Sequence, residues 1–330
     1  MTQCINCIII YWYCPKNLEV LLLKLKKLLS IILSAILVVN FTSCTKKNDP
    51  NKIKLVTSFY PIYIMALNIT DGVDNIELVN MAEQNTGCLH DFQLRTEDMK
   101  NIESANALII NGAGMESFLD KILEEIPNKP IIDSSIGIDL LKSEGHHHDE
   151  DDDHDDHDDD SVNPHIWVSV SNYIKQVRNI SEGIISLDPE NKVKYQSNTE
   201  EYISKLYELR DEMHNGLNDI AKRDIITLHE SFDYFAEEFN LNIEAVINHE
   251  PNTEPSSKEV KETIEIINEK GNDIPLFVEP QYPSTSAEII SRETGAKVYM
   301  LDSCVTGDIS KDAYIEAMRK NLSVLKEALS

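Results

Sequence analysis

Positive charge is what this sequence has least of: 30 Lys and Arg stand against 57 Asp and Glu, a formal balance of −27. Taking away the eleven acids of the densest run, residues 144–160, still leaves −16, so the rest of the chain is acidic as well. Nucleic acid is thereby excluded as a partner, because phosphates demand Lys and Arg. Apolar side chains are missing altogether from that run, which holds five His, eleven Asp or Glu and one glycine. Such a stretch cannot bury a core and is expected to be disordered and solvated. The sequence also lacks a His-Glu-x-x-His word and any other clear pairing of base and nucleophile, which weighs against a zinc hydrolase, the leading enzymatic alternative. Its apolar stretch Leu28 to Val39 is too short to span a bilayer comfortably. Cysteine is scarce, and four of the six lie at or before residue 44, leaving Cys88 and Cys304 in the body of the chain.

What is present suffices for one large or two medium domains: 330 residues, 42% of them hydrophobic. At the N-terminus Lys24, Lys26 and Lys27 precede the apolar stretch, and Phe41-Thr42-Ser43-Cys44 supplies small residues before a cysteine. That order reads as a signal peptide over residues 1–43. The cysteine after small residues resembles a bacterial lipobox, with Phe41 in place of the usual aliphatic residue. The resemblance implies that Cys44 becomes a lipid-bearing N-terminus, that residues 44–52 tether the protein to the membrane, and that it works outside the cytoplasm. There the two remaining cysteines, Cys88 and Cys304, can pair.

From Ile53 onward, short β-branched runs alternate with helical periodicity, which predicts parallel sheets covered by helices. Strands are expected at Ile53–Thr57, Ile76–Val79, Ala107–Asn111 and Pro130–Ile132, with helices at Pro61–Asn68, Thr96–Ala105 and Met115–Ile126, forming an N-terminal lobe over residues 53–143. The acidic run occupies 144–161. Connecting helices follow over 162–222, Ser169–Ser186 and then an amphipathic helix from Asn191 to Ile220, about 45 Å long at roughly 1.5 Å per residue. Strands at Asp224–Leu228, Ile243–Ile247, Pro275–Val278 and Lys297–Leu301, alternating with helices at Phe232–Asn240, Ser257–Lys270 and Ser286–Thr294 and closed by Lys311–Leu329, form a C-terminal lobe over 223–330. The expected fold class is α/β, two parallel-sheet lobes bridged by a single long rigid helix.

Histidine carries the chemistry. His146, His147, His148, His154 and His157 lie in the acidic run; imidazoles suit zinc, copper and nickel and carboxylates suit harder cations, so the run offers many weak, exchangeable sites that gather ions. Of the other five, His214 on the long helix and His249 in a polar loop read as surface residues. His90, His165 and His229 fall at strand ends or in the loops that follow, and Asp302 ends the last strand. In open parallel sheets the carboxyl ends of strands line the ligand crevice, so these four can converge. Three imidazoles and a carboxylate make a four-coordinate shell suited to Zn²⁺.

The words around these residues sharpen the reading. Gly87-Cys88-Leu89-His90-Asp91-Phe92-Gln93-Leu94 and Ala105-Asn106-Ala107-Leu108-Ile109-Ile110-Asn111-Gly112 resemble the first ligand motif of the zinc/manganese solute-binding proteins of ABC transporters. Asn163-Pro164-His165-Ile166-Trp167 resembles that family's Asp-Pro-His-Ile-Trp word, and His229-Glu230-Ser231-Phe232-Asp233-Tyr234-Phe235 its His-Asp-Ala-Phe-Gly-Tyr-Phe word. Phe277-Val278-Glu279-Pro280 and Leu301-Asp302 match the last two. The acidic His-rich insertion is typical of zinc-binding members. The resemblance implies a metal receptor with His90, His165, His229 and Asp302 as ligands, Asp91, Glu230 and Glu279 as candidates to orient the imidazoles, and two lobes that move little. It further implies that a monomer, held at the membrane by its lipid, captures Zn²⁺ and passes it to an ABC permease and its ATPase. Manganese is the alternative cargo; members that carry it commonly place Glu where this chain has His229, and a third imidazole favours zinc. Asn163 departs from the family aspartate, weakening a carboxylate behind His165. Cys88 and Cys304 flank ligands from opposite lobes, implying either a disulfide across the cleft or thiols that compete for metal. Because imidazoles must be unprotonated to ligate, affinity is expected to fall below about pH 6.5.

Overall fold

The computed structural model describes residues 23–24, 26–27, 52–82, 89, 92–143, 162–247, 255–271 and 273–330. Two compact units partition the chain, Met1–Asn51 and Lys52–Ser330. Of the expected signal region only Leu23, Lys24, Lys26 and Lys27 are described, all helical and exposed, while Cys44 and the tether before Lys52 lie outside the described residues. No helix among the described residues is long and apolar enough to cross a membrane.

The second unit begins with β1 (Ile53–Thr57), α1 (Tyr60–Ile69), β2 (Ile76–Asn80), α2 (Thr96–Ser104), β3 (Ala107–Ile110), α3 (Asp120–Glu125) and β4 (Ile131–Asp133). The strands form one parallel sheet in the order β2-β1-β3-β4, with Val56 opposite Val79 on one side and Leu108 on the other. Both sheet faces are covered, and the central strand β3, Ala107–Ile110, is accordingly apolar throughout. Leu55 and Ile109 face the main core, and Val56 and Leu108 pack with Met81, Ile102 and Leu119 on the opposite side.

One expected helix is corrected. The apolar spacing from Met115 to Ile126 predicts a continuous helix, but the chain makes a turn with Ala113 and Gly114 at φ +52° and +81°, a 3-10 turn over Ser117–Leu119 and only then α3. Glu116 explains the difference: its carboxylate accepts the backbone N–H groups of Asn111 (2.8 Å) and Gly112 (3.1 Å). Folded back onto those upstream donors, Glu116 stays in the turn, and helical geometry begins only at Ser117.

Lys142 pairs antiparallel with Val162, and the Asn163 N–H donates to the Leu141 carbonyl at 2.9 Å. This two-residue clasp closes the base of the acidic insertion, whose residues 144–161 lie outside the described set. Two helices follow, α4 (Val170–Leu187), started by the Ser169 hydroxyl on the Asn172 N–H, and α5 (Lys192–Leu217). At 26 residues and about 1.5 Å each, α5 is some 39 Å long, shorter than expected because Asn191 belongs to a 3-10 turn ahead of it and the helix ends at Leu217.

The second series comprises β5 (Asp224–Thr227), α6 (Asp233–Phe239), β6 (Asn242–Val246), α7 (Ser257–Lys270), β7 (Leu276–Val278), α8 (Thr285–Thr294), β8 (Val298–Met300) and α9 (Ala313–Ala328). Its sheet is again parallel, in the order β6-β5-β7-β8. A single core runs from Leu55 and Ile109 beneath the first sheet, through Trp167, Tyr173 and Leu206 of the connecting segment, to Ile225, Phe277 and Leu325 of the second lobe. Two α/β lobes joined by a long helix is therefore the architecture, as the periodicity implied.

Candidate metal centre

The second sheet delivers three of the expected residues. His229 follows β5 by two positions, Glu279 immediately follows β7, and Asp302 follows β8 by two positions, so all three stand at carboxyl ends of adjacent parallel strands. His165 arrives from the other side, between the insertion and a 3-10 turn at Ile166–Val168 that leads into α4. The rings of His165 and His229 are completely buried and meet with centroids 4.9 Å apart and planes at 87°. Nothing in sequence spacing requires residues 64 positions apart to touch; the fold does so.

Each ring is held through Nδ1. His165 donates from Nδ1 to the Asn163 amide oxygen at 2.8 Å, and that oxygen also accepts the His165 backbone N–H at 2.9 Å. His229 Nδ1 faces Glu279 Oε1 at 3.3 Å. Glu279, only 1% exposed, also receives Ser231 Oγ at 3.2 Å and Gln281 Nε2 at 2.8 Å. A hydrogen bond that fixes the proton on Nδ1 commits Nε2 as the lone-pair donor, the arrangement metal-ligating histidines use. The expectation that Glu279 orients an imidazole thus has its geometry. Glu230 enters differently: its backbone carbonyl accepts the Asn163 amide at 2.9 Å.

Asp302 is partly exposed, and its Oδ1 accepts the Cys304 N–H at 2.8 Å. Asn321 of α9 fixes the Asp302 backbone, giving 2.8 Å to the N–H and 2.7 Å to the carbonyl. Cys304 adopts φ +59° to close this turn, a left-handed conformation costing a β-carbon-bearing residue about 1 kcal/mol. Burial raises the Asp302 pKa, the Cys304 N–H opposes it, and the Glu279 carboxylate adds to the rise. Asp302 thus lies close enough to Glu279 for the two carboxylates to repel, while Glu279 itself faces the His229 ring. Cys304 is a free, buried thiol whose pKa burial pushes up, keeping it protonated and a poor ligand at neutral pH. Cys88, the other member of the expected pair, lies outside the described residues.

His90 and Asp91 likewise lie outside the described residues, as do His249 and the five histidines of the insertion. Among the described residues no group of three or more His, Cys, Asp or Glu stands as a metal cluster, so the pair brought together is His165 with His229. His214 is partly exposed on α5, 3.5 Å from Glu238, remote in role from these rings as expected. Sequence reasoning did not find Asp233, which receives the Asn163 amide, nor Gln281 and Tyr234. Asp233 was legible only as one of three departures, with Glu230 and Ser231, from the word that residues 229–235 resemble.

Two lobes, parallel sheets and a paired-histidine centre at strand ends define a metal solute-binding protein. The chain belongs to the ZnuA family, zinc-uptake complex component A, periplasmic, whose model matches residues 55–328. It is 30% identical to the high-affinity zinc uptake system protein ZnuA of Bacillus subtilis over 87% of this chain and 90% of that one. With the zinc-binding lipoprotein AdcA of Streptococcus pneumoniae it shares 26% identity over 91% of this chain and 61% of that longer protein. Its fold superposes on the solute-binding protein FpvC of Pseudomonas aeruginosa, solved in complex with Mn²⁺, with a TM-score of 0.71 and 30% identity, covering 84% of this chain and 98% of that one.

Proposed function

We propose that this protein is the extracytoplasmic zinc receptor of an ABC importer, binding one Zn²⁺ through His90, His165, His229 and Asp302 and delivering it to a permease driven by its ATPase. The observation that carries the reading is the buried contact of His165 and His229 at 4.9 Å, each ring tied through Nδ1 to an oxygen acceptor. Imidazole-rich coordination favours zinc over manganese. A shell closed by four protein ligands has no position for an activated water, so the protein binds and releases metal without catalysis. Cys44 carries the lipid that holds it at the membrane, residues 1–43 are removed as a signal peptide, and the receptor works as a monomer. His146, His147, His148, His154 and His157 gather ions weakly ahead of the tight site.

The test is a zinc titration with elemental analysis on protein beginning after Cys44, run beside a variant lacking Gly145 to Asp160. The shortened protein is expected to keep one tightly held Zn²⁺ while the longer one adds several weak ions, and manganese should fail to displace the tight ion at equal concentration. Loss of tight binding with the insertion would overturn the four-residue site. Displacement by manganese would move the cargo to the alternative.

A further inference from the structure

We infer that Asp233 is a positioning residue for zinc capture: through the Asn163 amide it strengthens the acceptor that holds the His165 ring by Nδ1. The inference rests on His165 being a ligand, as proposed above.

Asn163 is completely buried and uses every polar valence of its side chain. Its oxygen accepts two N–H groups of His165, the backbone N at 2.9 Å and Nδ1 at 2.8 Å. Its amide nitrogen donates to the Glu230 carbonyl at 2.9 Å and to Asp233 Oδ2. The amide has one workable orientation, because the His165 backbone N–H can only donate, while the Glu230 carbonyl and the Asp233 carboxylate can only accept. Turned over, it would set donor against donor and acceptor against acceptor in a buried site, each mismatch costing a full desolvation penalty. With the oxygen locked toward His165, Nδ1 must carry the proton and Nε2 must present the lone pair.

The arrangement sets the charge one bond back from the ring: the group touching His165 is the neutral amide of Asn163, and the carboxylate behind it is Asp233. A neutral amide is a weaker acceptor than a carboxylate, and Asp233 polarises it from one bond further out, so the pair performs what one aspartate would do against the ring. Asp233 also opens α6, where an acid favours the helix dipole. That role alone would leave His165 untouched, which is what makes the two separable.

The experiment measures zinc affinity and imidazole ¹⁵N shifts for wild type, Asp233→Ala, Asp233→Asn, Asn163→Asp, Asp233→Gly and the double variant Asn163→Asp with Asp233→Gly. Asp233→Ala is expected to weaken zinc 10- to 100-fold and to shift the ¹⁵N signals of the His165 imidazole as its acceptor weakens. Asp233→Asn, which retains an acceptor without the charge, should recover only part of the loss. Asn163→Asp alone sets two carboxylates face to face and should bind worse than wild type, whereas the double variant should regain wild-type affinity. Wild-type affinity and ¹⁵N shifts in Asp233→Ala, or affinity losses in Asn163→Asp and Asp233→Gly that simply add in the double variant, would overturn the inference. His165→Ala is the control: tight zinc binding in that variant removes the ligand assignment itself, while its loss beside an unaffected Asp233→Ala removes only the role of Asp233.

Discussion

Glu116 shows how one residue can shape a loop and burden the fold. Its carboxylate is 5% exposed and ties down the N–H groups of Asn111 and Gly112. Asn111 in turn donates to the Pro164 carbonyl at 2.9 Å, next to His165. Burial pushes its pKa up to about 7 from the ordinary 4.5, although those same N–H donors restrain the rise. A raised folded pKa means that the native state holds a proton the unfolded chain has given up. The associated stability is complete below about pH 4.5 and is lost as pH rises to and through about 7, on the order of 3 kcal/mol at most. Glu116→Gln cannot ionise, so the difference in unfolding free energy between wild type and Glu116→Gln should shift against wild type from pH 5 to pH 8. Urea melts at both pH values measure this, and parallel pH profiles would show that Glu116 does not change protonation on folding. Nothing in the sequence marked Glu116; an acidic residue amid Met115, Phe118 and Leu119 reads as the polar side of a helix.

At the scale of elements, alternation and period carried most of the fold. β1 falls at Ile53–Thr57 and α7 at Ser257–Lys270 as expected, the latter because Ser256 and Glu259 form the capping box legible in the sequence. The expected helix 115–126 starts late because Glu116 folds back onto the N–H groups of Asn111 and Gly112 ahead of it, a contact that apolar spacing does not record. The centre was half legible: strand ends pointed to His229 and Asp302 and the family words to Glu279, but the amide relay behind His165 depends on tertiary contact between residues 70 apart and leaves no periodic trace. Close helix-to-strand approach is equally silent in sequence until a glycine explains it. Gly183 lies in α4 directly over β4, where an added β-carbon would stand 2.6 Å from Ile132 Cγ2 and under 3 Å from its Cγ1 and Cδ1. Three atoms of one β-branched side chain cannot all withdraw, so Gly183→Ala should destabilise the protein by about 1–3 kcal/mol despite alanine's better helix propensity. Thermal unfolding decides it; a raised Tm would mean that α4 lifts from the sheet at no cost.

For the whole Lys52–Ser330 unit the decisive property is that its core is continuous. Trp167 packs edge-on to Phe59 at 5.0 Å, and its indole N–H donates to the Ser303 carbonyl at 2.8 Å. The Trp167 carbonyl accepts the Tyr314 hydroxyl of α9 at 3.0 Å. Tyr60 and Asn68 of α1 reach directly across to the carbonyls of Asp308 and Lys311, at 2.8 and 2.9 Å. Swinging the lobes apart would strip cover from Trp167, Tyr173 and Tyr314, at about 1.5–3 kcal/mol for each large side chain exposed, besides the broken hydrogen bonds. A wide hinge is therefore too expensive, and metal entry must proceed through local movement of the strand-end loops. Trp167 is also the sole tryptophan after Cys44, since the other is Trp12, and its ring lies 5.3 Å from that of His165. Zinc added to protein beginning after Cys44 should change tryptophan emission in a one-to-one titration while the radius of gyration from X-ray scattering stays constant within error. A marked contraction on binding would mean that the shared core parts and reseals with each ion, against the packing energy. An emission change that required several zinc equivalents would place the first ion in the acidic insertion rather than beside His165.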